Sequence, residues 1–138
     1  MRGICDIITT LSFTARFNMK FVYVALGGAF GAMARYAISL LPVKSDFPVL
    51  TLVTNTLGAI LIGFVVGLAD NHENVSDEAM LFLKTGVCGG FTTFSTFSLE
   101  AVNMFDETRV FAGGLYMVLS CTCCVIGVIV GRKISKAF

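Results

Sequence analysis

The run GVCGGFTTFSTFSLE, residues 86–100, sits inside a stretch otherwise apolar enough for lipid, and its reading decides the fold. Gly86, Gly89 and Gly90 open it, and Thr92, Thr93, Ser95 and Thr96 then interleave with Phe91, Phe94 and Phe97. Glycine weakens a helix, and Ser and Thr hydroxyls offer the backbone local bonds that compete with helical ones. Non-helical backbone at membrane depth survives only where protein or a water-filled cavity satisfies it. The stretch therefore predicts a helix broken in mid-membrane, with freed carbonyls suited to cations and freed amides to anions. Phe94 and Phe97, three residues apart, share a helix face. A phenyl ring has a positive edge, so edges turned inward favour an anion. Phenylalanines facing lipid are the plainer alternative, but that explains neither the glycines nor the hydroxyls.

Composition sets the frame for this reading. The chain has 138 residues, 56% apolar and only 14% charged, where soluble domains carry roughly 25% charged residues. The net charge of +1, with no basic face interleaved with aromatics, argues against nucleic acid as a partner. The expected partner surface is membrane lipid. Of the cysteines, Cys5 and Cys88 stand apart, while Cys121, Cys123 and Cys124 fall in one apolar run. Neither a disulfide framework nor a zinc site is expected, and packing as small apolar side chains accounts for them. His72, the single histidine, lies in an acidic polar loop and reads as solvated.

Working outward, four apolar runs are long enough to cross a bilayer, which takes roughly 20 residues. They cover about 21–41, 49–69, 79–104 and 110–131, joined by VKSDF, DNHENVSDE and FDETR. Short connections make neighbouring helices antiparallel. Residues 19–138 then form one four-helix domain. Residues 1–18 do not read as a signal peptide, since Asp6 interrupts the apolar part and no cleavage-like site follows. They read as an N-terminal extension: a flexible or interfacial arm, or a segment ahead of an alternative start at Met19. Small-residue pairs recur on every span (Gly27 with Gly31, Gly63 with Gly67, Gly86 with Gly90, Gly127 with Gly131) and predict close helix packing.

Some polar side chains are costly in lipid. Arg35 lies inside the first span and either snorkels to the headgroups or has a structural partner within the protein. Asn55, in the second span, supplies two amide donors and one acceptor, serving either as interhelical glue or as a ligand group. Tyr116, Ser120 and Cys124 stand four residues apart on one face of the fourth span, a wet path or a packing face.

Three stretches together resemble one family. GVCGGFTTFSTFSLE is similar to the third-helix signature of the Fluc (CrcB) fluoride channels, GGAFGAMARY to their first-helix motif and TNTLGAILIG to their second-helix asparagine motif. The resemblance covers roughly residues 19–133, in order. It implies an all-α membrane protein with four transmembrane helices per chain, the third broken. Two chains would pair as an antiparallel, dual-topology homodimer in the cell's inner (plasma) membrane. The expected function is passive export of cytoplasmic fluoride through two pores, around a structural sodium ion. By position, Asn55, Phe94, Phe97 and Thr96 would line the pore, with Tyr116 and Ser120 along its polar track. The backbone carbonyls of Gly89 and Thr92 would hold the sodium, and Arg35 would be structural. Cys124 departs from the pattern, where serine would extend the track. No nucleophile, base and orienting residue come together, so no enzyme is expected. The rival from another class is a small proton-coupled multidrug exporter, which needs a carboxylate within the membrane; Glu100 is its one candidate. Basic residues near the span ends are nearly balanced: Lys20, Arg132, Lys133 and Lys136 against Lys44, Arg109 and Arg35, with Arg2 and Arg16 of the arm set aside. That balance favours insertion both ways.

Overall fold

The computed structural model describes residues 2–72 and 75–138, with side chains from residue 19 onward. Helix α1 (Arg2–Ser39) is the longest. No glycine or proline lies between Ile4 and Leu26 to stop it, so the backbone of the N-terminal arm continues the first span as one helix. The arm's side chains, Arg2, Cys5 and Arg16 included, lie outside the described residues. Helix α2 (Val49–Asn71) begins just after Pro48, where a missing N–H costs nothing. Helix α6 (Val110–Ser135) runs past Gly131 and places Arg132 and Lys133 in its last turn, where cations complement the helix dipole.

The third run is built from pieces: α3 (Asp77–Met80), a π-helical stretch Leu81–Cys88, α4 (Gly89–Phe91) and α5 (Phe94–Asp106). Ser76 caps its start by accepting the Ala79 N–H at 3.2 Å. Among the described residues all regular structure is helical. Three helices are long and apolar enough to cross a membrane: Met19–Ser39, Val49–Asn71 and Val110–Ser135. The third run does not join them as a single helix, because Thr92 and Thr93 separate α4 from α5.

Two tight helix pairs organise the chain. Helix α2 packs most extensively on α6, and α1 packs on the π-helical stretch and α4. Both seams are lined by the glycine pairs seen in the sequence. A Cβ on Gly27 would meet the Phe82 carbonyl and come within 2.9 Å of the Gly86 Cα. One on Gly131 would meet the Ile60 carbonyl and come within 2.7 Å of the Phe64 nitrogen. In lipid, where packing rather than hydrophobicity joins helices, such approach of backbones is the main source of cohesion. Helix α5 closes against α6 through Phe97, Ala101, Met104 and Tyr116, with Phe47 and Leu52 packed beside them.

One sequence expectation is corrected here. Gly86, Gly89 and Gly90 do not end the helix, as Gly86 lies within the π-helical stretch, no described glycine has a positive φ and Gly89 is helical at φ −64°, ψ −38°. Gly86 and Gly90 instead give α1 its close approach, against Gly27 and Gly28. The departure from helix falls two residues later, on the threonines.

Candidate functional site

Thr92 (φ −80°, ψ 156°) and Thr93 (φ −145°, ψ 101°) are extended between α4 and α5. The hydroxyls and one amide manage this interruption. Thr92 sends both its N–H and its hydroxyl to the Cys88 carbonyl, each at 3.1 Å, ending α4. The Thr93 hydroxyl accepts the Thr96 N–H at 3.2 Å and donates to the Thr96 hydroxyl at 2.8 Å, capping α5 in the manner expected of threonine. Asn55, from α2, accepts the Thr93 N–H at 2.7 Å and donates to the Thr93 carbonyl at 3.2 Å. This side chain therefore pairs with Thr93 as a neighbouring strand would. An amide has two N–H bonds, so one remains for another acceptor.

Following each backbone group shows what the interruption frees. In an unbroken helix the Thr93 N–H would reach the Gly89 carbonyl, and the Thr96 N–H would reach that of Thr92. Both donors have gone elsewhere, to Asn55 and to the Thr93 hydroxyl. Arg35 donates from Nε to the Gly90 carbonyl at 3.2 Å, and Asn55 serves the Thr93 carbonyl. The Gly89 and Thr92 carbonyls thus lose the donors that an unbroken helix would give them. Gly89 also faces open space, since an added Cβ there would meet nothing within 4 Å. Of the two readings for Arg35, the structure shows a protein partner.

A cavity of about 620 Å³ lies beside the interruption, between α2, the third run and α6. Its walls bring together Asn55, Thr92, Phe94, Phe97 and Ser120, with Gly89 at the edge of the open side. Phe94 is 77% exposed and Phe97 only 6%, yet their ring centroids lie 5.3 Å apart. The aromatic row continues from Phe97 to Tyr116 at 5.2 Å and from Tyr116 to Phe47 at 5.4 Å. The Ser120 hydroxyl is buried and has no partner among the described residues.

Two residues expected along the pore stand outside the cavity walls. Thr96 is engaged in the α5 cap. Tyr116, fully buried, donates its hydroxyl to Glu100 at 2.7 Å, and Thr51 donates to the other Glu100 oxygen, also at 2.7 Å. Sequence reasoning gave Thr51 no role and weighed Glu100 only as an exporter's carboxylate. The signal was present in the spacing: Thr51 stands four residues before Asn55 on α2, and Glu100 three after Phe97 on α5, so each shares a face with a residue of the expected site. Glu100 does not line the cavity. Cys124 does, next to Ser120, and His72 is exposed at the end of α2.

Comparison with known proteins gives one consistent answer. The family model described as "CrcB-like protein, Camphor Resistance (CrcB)" matches residues 22–132. The "Fluoride-specific ion channel FluC" of Ruminiclostridium cellulolyticum is 45% identical over 118 residues, covering 83% of this chain and 91% of that protein. The protein of the same name from Methanococcus maripaludis is 39% identical over 120 residues, 86% of this chain and 98% of its own. That of Pyrococcus horikoshii is 45% identical over 95 residues, 67% of this chain and 77% of its own. These relatives are named as channels, not enzymes. The chain is a membrane protein belonging to the CrcB family.

Proposed function

We propose that this chain forms a fluoride channel that lets cytoplasmic fluoride leave the cell passively across the inner (plasma) membrane. The observation that carries the reading is the cavity whose walls bring together Asn55, Phe94, Phe97 and Ser120. The names of the relatives support the choice of ion.

The chemistry follows from dehydration. A small anion that loses its water needs replacement donors, and several moderate ones serve conduction better than a single strong one. Ser120 has a hydroxyl proton to give, and Asn55 has one N–H beyond the one it spends on Thr93. The rings of Phe94 and Phe97 present positive edges in a surrounding otherwise apolar. Thr96 and Tyr116 act behind the wall. Thr96 fixes where α5 begins and so where Phe94 points; Tyr116 holds Glu100 and packs against Phe97. Arg35 keeps the Gly90 carbonyl occupied.

The interruption at Thr92 and Thr93 is read as a break of the third helix at mid-membrane. Two of its carbonyls, on Gly89 and Thr92, lose their helical donors to the interruption and are hard oxygen donors of the kind that replace the hydration shell of a small cation. Two oxygens are too few to enclose one. A two-fold partner places the same pair opposite, and the open space at Gly89 and the exposed Phe94 leave room for that partner. A sodium ion held there would supply a fixed positive charge at the centre of an antiparallel homodimer carrying two pores.

The multidrug-exporter reading requires a carboxylate inside the substrate cavity, and Glu100 lies outside it with both oxygens engaged. Reconstituted protein in vesicles loaded with potassium fluoride separates the two. Addition of a potassium ionophore is expected to release fluoride rapidly, and cationic drugs to release no protons. Drug-driven proton release without fluoride efflux would reverse the assignment.

A further inference from the structure

Helix α6 carries Cys121, Cys123 and Cys124 near its middle, and two of them, Cys121 and Cys124, line the cavity beside Ser120. Cys123 does not line it, and Cys88, which does, is 2% exposed. All four are free thiols. Residues three apart on a helix have Cβ atoms about 5–6 Å apart. A disulfide wants that separation near 3.8 Å, so Cys121 and Cys124 do not close one without deforming α6. Two metal–thiolate bonds of about 2.3 Å each, laid end to end, span about 4.6 Å, a length closer to the spacing of this pair.

We propose that Cys121 and Cys124 form a binding site for a soft, linearly coordinated divalent metal ion of the mercury(II) type, and that its occupation obstructs the cavity. Thiolates select soft ions over hard ones. Among the described residues no group of three or more His, Cys, Asp and Glu side chains is arranged to hold a metal, so four-ligand zinc is not the ion this pair would suit. On binding, each thiol gives up its proton, two sulfur–metal bonds form and two protons leave to water; nothing is oxidised. The product of two thiolates and a divalent ion carries no net charge, which suits walls that include Ile62, Val125 and Val128. A charged adduct there would be costly. The metal would sit one turn along α6 from Ser120, within the space the anion is read to use.

The binding half stands on the geometry alone, while the obstruction half rests on the reading of this cavity as the fluoride path. The test uses mercuric chloride on the full chain. X-ray absorption of the mercury-loaded protein in detergent is expected to show two sulfurs in a linear site at one equivalent per chain. In vesicles, one equivalent is expected to cut fluoride efflux more than about tenfold, since a path that passes dehydrated ions singly tolerates no obstacle. Excess dithiothreitol should restore it. Sensitivity, read as the fraction of each variant's own flux that is lost, should disappear in Cys121→Ser and in Cys124→Ser and persist in Cys123→Ser. A single sulfur around the metal, or full sensitivity in either of the first two variants, overturns the paired site. Two-sulfur binding with undiminished fluoride efflux overturns the obstruction. Two-sulfur binding to a protein that never conducts fluoride overturns the obstruction together with the channel reading, and leaves the paired site standing.

Discussion

Asn55 illustrates how one side chain serves structure and passage together. Its amide closes both ends of the Thr93 peptide, at 2.7 and 3.2 Å, and keeps one N–H in reserve. Aspartate preserves the shape but, when ionised, only accepts; it would face the Thr93 carbonyl with an oxygen and repel an anion. Asn55→Asp is expected to abolish fluoride efflux, measured with a fluoride electrode on the fraction that elutes as folded protein. Normal efflux in that variant near neutral pH would leave Asn55 as a clamp for the interruption and nothing more. Phe94 separates the two roles better, because it is largely exposed and contributes little to the core. Phe94→Ile keeps bulk and removes the ring edge, so efflux should collapse while elution and yield in detergent stay near parental. Parental efflux would remove the aromatic rings from the mechanism. Phe97, buried against Tyr116, Ala101 and Met104, cannot be tested so cleanly, since reshaping a packed core costs about 1–3 kcal/mol.

At the level of elements, the apolar runs on either side of Pro48 and between Arg109 and Arg132 were legible because hydrophobic length and turn residues agree there. The third run was legible in its composition but not in its mechanics. Glycine and threonine both argue against a continuous helix, and local propensity does not say which of them yields. Tertiary contacts do. Gly86 and Gly90 stay helical because α1 needs their bare backbone, whereas the chain leaves the helix at Thr92 and Thr93, where Asn55 on α2 takes up the Thr93 N–H and carbonyl. The bond between Arg35 and Gly90 and the cluster of Thr51, Glu100 and Tyr116 were hidden for the same reason: each joins residues distant in the chain. The packing account carries its own expectation. Gly131→Val must push against the Ile60 carbonyl and the Phe64 nitrogen, and overpacking of this kind costs about 1–3 kcal/mol. Its unfolding temperature in detergent should fall. Gly114→Val, where an added Cβ meets nothing within 4 Å, should leave it nearly unchanged, and equal effects at the two sites would contradict the seam.

For the whole molecule, the claim is a pair of chains inserted in opposite directions around a shared cation. Removal of sodium is expected to slow fluoride efflux and its return to restore it, with no radiotracer sodium crossing alongside; sodium crossing with fluoride would indicate a cotransporter. The topological balance is less even than the span ends alone imply. Lys84 lines a pocket together with Lys20, adding positive charge to the side that already holds Arg132, Lys133 and Lys136, and positive charge resists crossing. A cysteine placed at residue 71 in a chain lacking the native ones should still label from both faces. Labelling from one face alone would exclude an antiparallel homodimer. The central claim, passive conduction of fluoride, is met most directly by current across a planar bilayer containing the purified protein, with fluoride, chloride and proton gradients set independently. The account predicts that the current reverses at the equilibrium potential of fluoride and does not move when the chloride or proton gradient is changed; a reversal that follows chloride or protons, or no current at all, would contradict it.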